Sequence, residues 1–427
     1  MTSETKEPSQ KLGFFMCVAL VMGNMIGSGV FLLPASLAPF GWNGVVGWVI
    51  TIVSALALAL VIARLTIAYP LAGGPIGFVS MAFGRIPGYL IGWSYWVSVL
   101  TANVTLAVAA VSALSLLAPT VGAHSTVSTI ALIWIITLVN WRGARAAGQF
   151  QVVTLLIKLV PLITVLILMA IILIQRGTAP IAPFPSEGLK LSAVSGSAIL
   201  TLWALLGFES ASLATDKVDN PGRTIPRATL VGTFATGALY LVVCSGIALM
   251  LPVAAVSGSA APFAVFVETY WAREPALLIA AFVAVSAIGA LNGFTLMQAE
   301  LPATMARQGM LPRWFAGENA QGTPANALIL SSLITTGVVL ANSNKSTGDL
   351  FTFMATLSTS ATLWLYFACA CVALKLRVAV PVAGLGLIYS LWTLWGAGVT
   401  VSAMSLLLMA MGMPLYWWAK RAATTAP

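Results

Sequence analysis

Two interruptions in otherwise apolar runs hold the residues that could do chemistry. The first lies in VALVMGNMIGSGVFLLPASLA, residues 18–38, where Gly23, Asn24, Gly27, Ser28 and Gly29 occupy the middle of a stretch suited to lipid. Glycine admits backbone conformations that a β-carbon resists, so Ile26, Gly27, Ser28 and Gly29 are expected to unwind the helix. A helix restarting near Val30 presents unpaired N–H groups to the gap, and such a terminus favours an anion. A carboxylate is its natural occupant, with the Ser28 hydroxyl as a further donor. The second interruption is Gly207-Phe208-Glu209-Ser210 in ILTLWALLGFESASLA. Carbonyls freed there could accept from an ammonium group, so the pair could hold both ends of an α-amino acid. A small-xxx-small packing motif accounts for Gly23 and Gly27 but not for Asn24 or the tandem Gly-Ser-Gly.

Three ionisable side chains fall within apolar runs, where a charge is costly and marks function by default: Lys158, Glu209 and Glu300. Glu209 follows the second interruption and could pair with a cationic substrate, carry a proton or accept N–H groups where its helix restarts. Lys158, in VVTLLIKLVPLITVLI, is too deep to snorkel. It could switch charge during a cycle or serve as a fixed internal cation. Glu300 is read as a solvated group or a salt-bridge partner of Arg307 near the cytoplasmic vestibule. Tyr95, Trp96, Trp203 and Phe294 could wall a cavity, in the polar company of Asn103 and Asn292.

The elements that must position these residues are membrane helices. The chain of 427 residues is 59% hydrophobic and 7% charged, whereas soluble domains carry roughly 25% charged residues. Twelve apolar runs suffice to cross a hydrocarbon core of about 30 Å. They cover 15–38, 44–68, 86–117, 126–141, 150–174, 194–214, 228–252, 277–305, 326–341, 350–374, 379–399 and 401–418. Residues 1–14 and 419–427 read as cytoplasmic tails of a single transmembrane domain, 15–418. With the N-terminus inside, fifteen of the twenty basic residues fall in alternate, inner segments, which puts both termini in the cytoplasm. The net charge of +9 is thereby explained by topology and does not argue for nucleic acid. All four cysteines lie in apolar runs and His124 stands alone, so neither a disulfide framework nor a metal site is expected.

The interruptions occupy runs one and six. If runs one to five and six to ten form two inverted repeats, about 15–174 and 194–374, the breaks correspond, which points to a central binding site. The match is one of position and polarity. The last two runs, about 379–418, lie outside it.

These residues resemble the amino acid, polyamine and organocation transporters. The likeness spans GNMIGSGVFLLPASLA, YWVSVLTANVTLAVAAV, VNWRGARAAGQ, TLWALLGFESASLATDKVDNPGRTIPRAT, SAAPF and MARQGMLPRWFA in the expected order. Within that family they look most like the bacterial arginine/agmatine, putrescine/ornithine and cadaverine/lysine exchangers. The resemblance implies an all-α fold of twelve transmembrane helices, a five-plus-five inverted repeat with two added helices, working by alternating access. Carried over, it makes the backbone around Ile26, Gly27, Ser28 and Gly29 the carboxylate site, with Asn24, Ala204 and Gly207 beside it. Trp203 becomes the middle gate, Glu209 the acid tied to gating and pH response, and Asn103 and Tyr95 lining and gating residues. Thr356 is a weaker carry-over.

Three departures bear on substrate. Phe294 stands where the arginine/agmatine exchangers place a stacking tryptophan, which weakens cation–π attraction. Ser80 stands where the putrescine exchangers carry an extra acid. Lys158 resembles the lysine that takes the place of a sodium site in proton-coupled or heteromeric-type carriers.

The expectation is a transporter of the cytoplasmic membrane that exchanges a basic amino acid for a related amine or amino acid. The alternative is a neutral amino acid carrier coupled to protons through Lys158 or Glu209. A channel or membrane-embedded enzyme is more remote, since the chain offers no selectivity-filter loop, paired carboxylates or activated nucleophile. The expected partners are a small amino acid or amine, membrane lipid and, as an option, a second copy in a homodimer. No cofactor, metal or catalytic residue is expected.

Overall fold

The structure, a computed structural model, describes residues 13–424 apart from Ser28, Gly73, Gly143, 209–217 and Asp219. It gives the backbone alone for Leu20, Asn24, Pro221, 144–156 and 422–424. Ser28, Glu209 and the side chain of Asn24, all read above as site groups, therefore lie outside the described residues. Every regular element among the described residues is a helix. This follows from the composition, because lipid offers no partner for a backbone N–H or C=O and a helix satisfies both internally.

The first apolar run is divided into α1 (Phe14–Met25) and α2 (Gly29–Leu37). There follow α3 (Trp42–Ala68), α4 (Pro75–Phe83), α5 (Arg85–Leu117), the short α6 (Pro119–Ala123), α7 (Ser125–Trp141), α8 (Ala144–Arg176) and α9 (Leu191–Leu205). The rest are α10 (Pro221–Met250), the single turn α11 (Val253–Val256), α12 (Pro262–Tyr270), α13 (Arg273–Arg307), α14 (Ala325–Ala341), α15 (Thr347–Lys375), α16 (Val380–Gly396), α17 (Val399–Ala410) and α18 (Met413–Thr424). Among the described residues α3, α5, α8, α10, α13, α15 and the run through α17 and α18 are long and apolar enough to cross a membrane. The helices α1, α2, α7, α9, α14 and α16 are apolar but shorter.

The structure departs from the expected runs between the runs and at the last of them. Helices α4 and α12 fall between the expected runs, each started by a proline whose missing N–H is no loss in a first turn. Helix α9 ends at Leu205, just before the interruption expected at Gly207, and 209–217 lie outside the described residues. The last run is broken at Gly412, where a β-carbon would lie 2.6 Å from the Trp93 ring, and helix continues to Thr424, past the expected end at 418.

Helix α5 is buried along nearly all of its length, chiefly against α13 and α15. Small hydroxyls line the seam with α15. Ser94 Oγ donates to the Ala361 carbonyl at 2.8 Å, and the hydroxyls of Ser98 and Ser358 meet at 3.0 Å. Prolines open two further joints. Pro302 cannot bond back to the Gln298 carbonyl, which instead accepts from Trp96 Nε1 and Ser331 Oγ, each at 3.0 Å. Pro34 likewise frees the Val30 carbonyl, and Cys244 Sγ lies 3.8 Å from it.

Contacts across the sequence sort the loops into two ends. At one, Arg85 donates to the Gln308 carbonyl at 3.1 Å, Lys375 to Ala82 at 2.6 Å, and Arg307 pairs with Glu318 at 2.7 Å. At the other, Trp42 donates to the Ala182 carbonyl at 2.9 Å and Ala182 N–H to Leu249 at 2.8 Å. The expected pair of Glu300 and Arg307 is present at 3.7 Å at the first, basic end.

Candidate functional site

The backbone leaves α1 through one tight turn. Ile26 has φ −74° and ψ 77°, and Gly27 N–H donates to the Met25 carbonyl at 2.7 Å, an inverse γ-turn centred on Ile26. Helix resumes at Gly29, one residue before the expected Val30. The carbonyl groups at the end of α1 then need donors from elsewhere. Lys158 of α8, only 1% exposed, donates Nζ–H to the Gly23 carbonyl at 3.3 Å, and Tyr240 of α10 donates its hydroxyl to Met25 at 3.0 Å. The ammonium group thus sits at the negative end of the α1 dipole, where a cation is favoured.

Helix α2 leaves the other side of the gap with the unpaired N–H groups of a first turn. Trp203 covers this turn. A β-carbon on Gly29 would lie 2.4 Å from Trp203 Nε1, so only glycine permits the approach. The indole N–H is buried, with the residue just 5% exposed, and has no hydrogen-bond partner among the described residues. A buried donor without a partner costs about 1–3 kcal/mol, so an acceptor arriving there recovers that cost.

Trp203 stands two residues before the end of α9. Leu206 is extended, with φ −60° and ψ 141°, and Gly207 takes φ +108°, a conformation that glycine alone adopts readily. Ala204 is buried beside Trp203, and Phe208 stacks on Tyr366 with ring centres 5.0 Å apart. The two interruptions found in the sequence are therefore neighbours in space. Gly27 completes the junction, its α-carbon facing Ala290 of α13 and Leu106 of α5.

The remaining candidates are differently placed. Asn103 is buried and its amide is engaged by α13. Nδ2 donates to Gln298 Oε1 at 2.7 Å and to the Phe294 carbonyl at 3.2 Å, while Oδ1 accepts from Thr295 at 3.5 Å. Phe294 and Tyr95 are half-buried. Thr356 bonds within its own helix, to the Thr352 carbonyl at 2.7 Å, and lies in a separate groove between α2 and α15.

Sequence reasoning missed Tyr240 and Gln298. Tyr240 lies in a plain apolar run, and only the geometry shows its hydroxyl serving the broken end of α1. Gln298 had a readable signal: a polar residue four positions before a proline in a membrane helix sits where a backbone carbonyl comes free.

A family model described as "Amino acid permease" matches residues 12–425. Among curated proteins, the chain is 31% identical over 375 residues to a cadaverine/lysine antiporter of Escherichia coli (strain K12), covering 84% of this chain and 82% of that one. It is 29% identical over 426 residues to the putrescine transporter PotE of the same organism, with 96% of each chain covered. The putrescine transporter PotE of Haemophilus influenzae is 27% identical over 427 residues, covering 96% of this chain and 97% of that one.

Proposed function

The chain belongs to the amino acid permease family, and from that premise we propose that it is a secondary active transporter exchanging a basic amino acid for a related amine or amino acid. The observation that carries this reading is the meeting of two interrupted helices at Gly29 and Trp203, with a buried indole N–H left without a partner among the described residues. In this proposal the α2 N-terminus and Trp203 Nε1 hold the substrate carboxylate, and carbonyls released where α9 ends accept from its ammonium group. Trp203 then both binds and gates. Lys158 acts as a fixed internal cation. It supplies at the end of α1 the charge that a bound sodium ion would otherwise bring, so transport needs no sodium.

On this reading α1 with α2, then α3, α5, α7, α8, α9, α10, α13, α14, α15, α16 and finally α17 with α18 make twelve crossings. The first ten form a five-plus-five inverted repeat that rocks between two access states. The chain lies in the cytoplasmic membrane with its basic end and both termini inside, as expected from the retention of Lys and Arg on that side. The names of the cadaverine/lysine and putrescine relatives support a long amine-bearing substrate.

Counterflow into proteoliposomes tests the proposal. Labelled lysine, ornithine or arginine should accumulate only when unlabelled substrate is inside. One observation favours a second reading: a buried ammonium at Lys158, with no acid paired to it among the described residues, would repel a cationic substrate in close reach. Counterflow of leucine or alanine, with none of lysine, would establish the neutral carrier instead.

A further inference from the structure

A groove of about 420 Å³ runs between α2 and α15 at the end of the molecule opposite the basic loops. Volumes of this order suit small-molecule sites. One wall is the α2 side, with Leu32, Ala35, Ser36 and Pro39 at helical spacing; the other is the α15 face carrying Asp349, Thr352, Phe353 and Thr356. From Asp349 to Thr356 is seven residues, about 10 Å along the axis. The floor at Leu32 is one turn from Gly29, where α2 begins. The groove thus opens at that end of the protein and stops one turn of α2 short of the junction, with neither Gly29 nor Trp203 in its lining.

Asp349 is the one ionisable side chain among the described residues of the lining. Its Oδ2 accepts from Ser346 Oγ at 2.6 Å, Oδ1 has no hydrogen bond, and no cation is within ion-pair distance among the described residues. Lys345 lies close in sequence, but its Nζ is 5.1 Å from the Phe353 ring centre and it lines a neighbouring cavity. Halfway down, the hydroxyls of Ser36 and Thr352 meet at 2.7 Å and bridge the walls. Thr352 donates to the Gly348 carbonyl at 3.0 Å, so Ser36 supplies the proton of the bridge. A capping role explains why an acid follows Ser346 at the start of α15, since Asp349 N–H donates to Ser346 Oγ at 3.1 Å. The carboxylate itself is exposed at the helix N-terminus and borders a groove whose lining is otherwise mostly apolar, so a cation entering there meets it first.

We propose that this groove is the access route from the end opposite the basic loops, with Asp349 as an initial subsite for the side-chain ammonium of the substrate and the Ser36–Thr352 bridge as its latch. The assignment of a cationic amine rests on the function proposed above. Asp349 draws the ammonium end in, and the carboxylate end travels ahead toward α2 once the two hydroxyls part.

The test separates groove from substrate. Ala35→Cys places a thiol in the wall, to be probed with matched trimethylammonium and sulfonate thiosulfonate reagents, measured above the reaction of the unmodified chain. Relative to a free thiol, the cationic reagent should be favoured about two- to fivefold, as for exposed charge pairs. Asp349→Asn, which keeps an acceptor for Ser346, should erase the preference, as should high salt. In counterflow, the same substitution should raise the half-saturation concentration of lysine by a similar factor and leave leucine unchanged. An unreactive thiol, a preference unaltered by Asp349→Asn, or equal effects on lysine and leucine would overturn the proposal. A charge preference lost on Asp349→Asn, in a protein that carries no amine at all, would support the groove and refute the basic substrate.

Discussion

At the scale of single residues, Gly29, Trp203 and Lys158 decide how the gap between α1 and α2 is held. Gly29 is required because a β-carbon would meet the Trp203 indole at 2.4 Å. Gly29→Ala should push the ring out, costing about 1–3 kcal/mol of stability as overpacked sites do, and should cut counterflow by tenfold or more. Thermal unfolding in detergent and initial uptake rates measure the two effects separately. Trp203→Phe tests the unpartnered N–H. Since that donor has no protein partner among the described residues, stability should hold, while half-saturation for the amino acid rises about tenfold, the worth of a hydrogen bond to a charged group. The corresponding amine, which has no carboxylate, should be unaffected; equal losses for both would remove Trp203 from carboxylate binding. Lys158→Met leaves the Gly23 carbonyl without its donor and α1 without its terminal charge. Counterflow should be lost, and in the unmodified chain replacing external sodium by choline should change nothing.

Among the elements, α13 is the one whose local defect organises its neighbours. Pro302 releases the Gln298 carbonyl to Trp96 and Ser331, while the Gln298 side chain accepts from Asn103 at 2.7 Å and donates to Ser332 at 3.2 Å. One residue therefore ties α13 to α5 and α14. Gln298→Leu removes both side-chain bonds, and at about 0.6 kcal/mol for an average interhelical bond in a membrane the loss should be 1–2 kcal/mol. Chemical denaturation in mixed micelles would check this figure. Asn103 is legible in the sequence as a polar residue in a membrane helix, but not as a tie to α13. Periodicity cannot distinguish a carboxamide turned to a ligand from one bonded to the next helix, because that depends on what the neighbour presents.

For the whole molecule, the loops that the charge pattern assigns to one side do meet at one end. The partners of Arg85, Arg307 and Lys375 come from loops far apart in sequence, while Trp42 and Ala182 meet at the other end. Reporter fusions should place both termini in the cytoplasm; a periplasmic signal at either would reverse the proposed orientation.

Composition and hydropathy alone determined an apolar helical chain and the first helical interruption, because the demand of lipid for internal hydrogen bonding leaves a backbone few alternatives. Both interruptions were visible as glycines and polar groups out of place. What only the tertiary structure decided is which groups answer them. That Tyr240 and Lys158 serve the end of α1, that Trp203 lies on Gly29 with its N–H unclaimed, and that α4 and α12 are helices between the expected runs depend on packing between segments tens to hundreds of residues apart. A hydrophobic pattern records burial along one helix; it carries no information on which neighbour fills the space beside it.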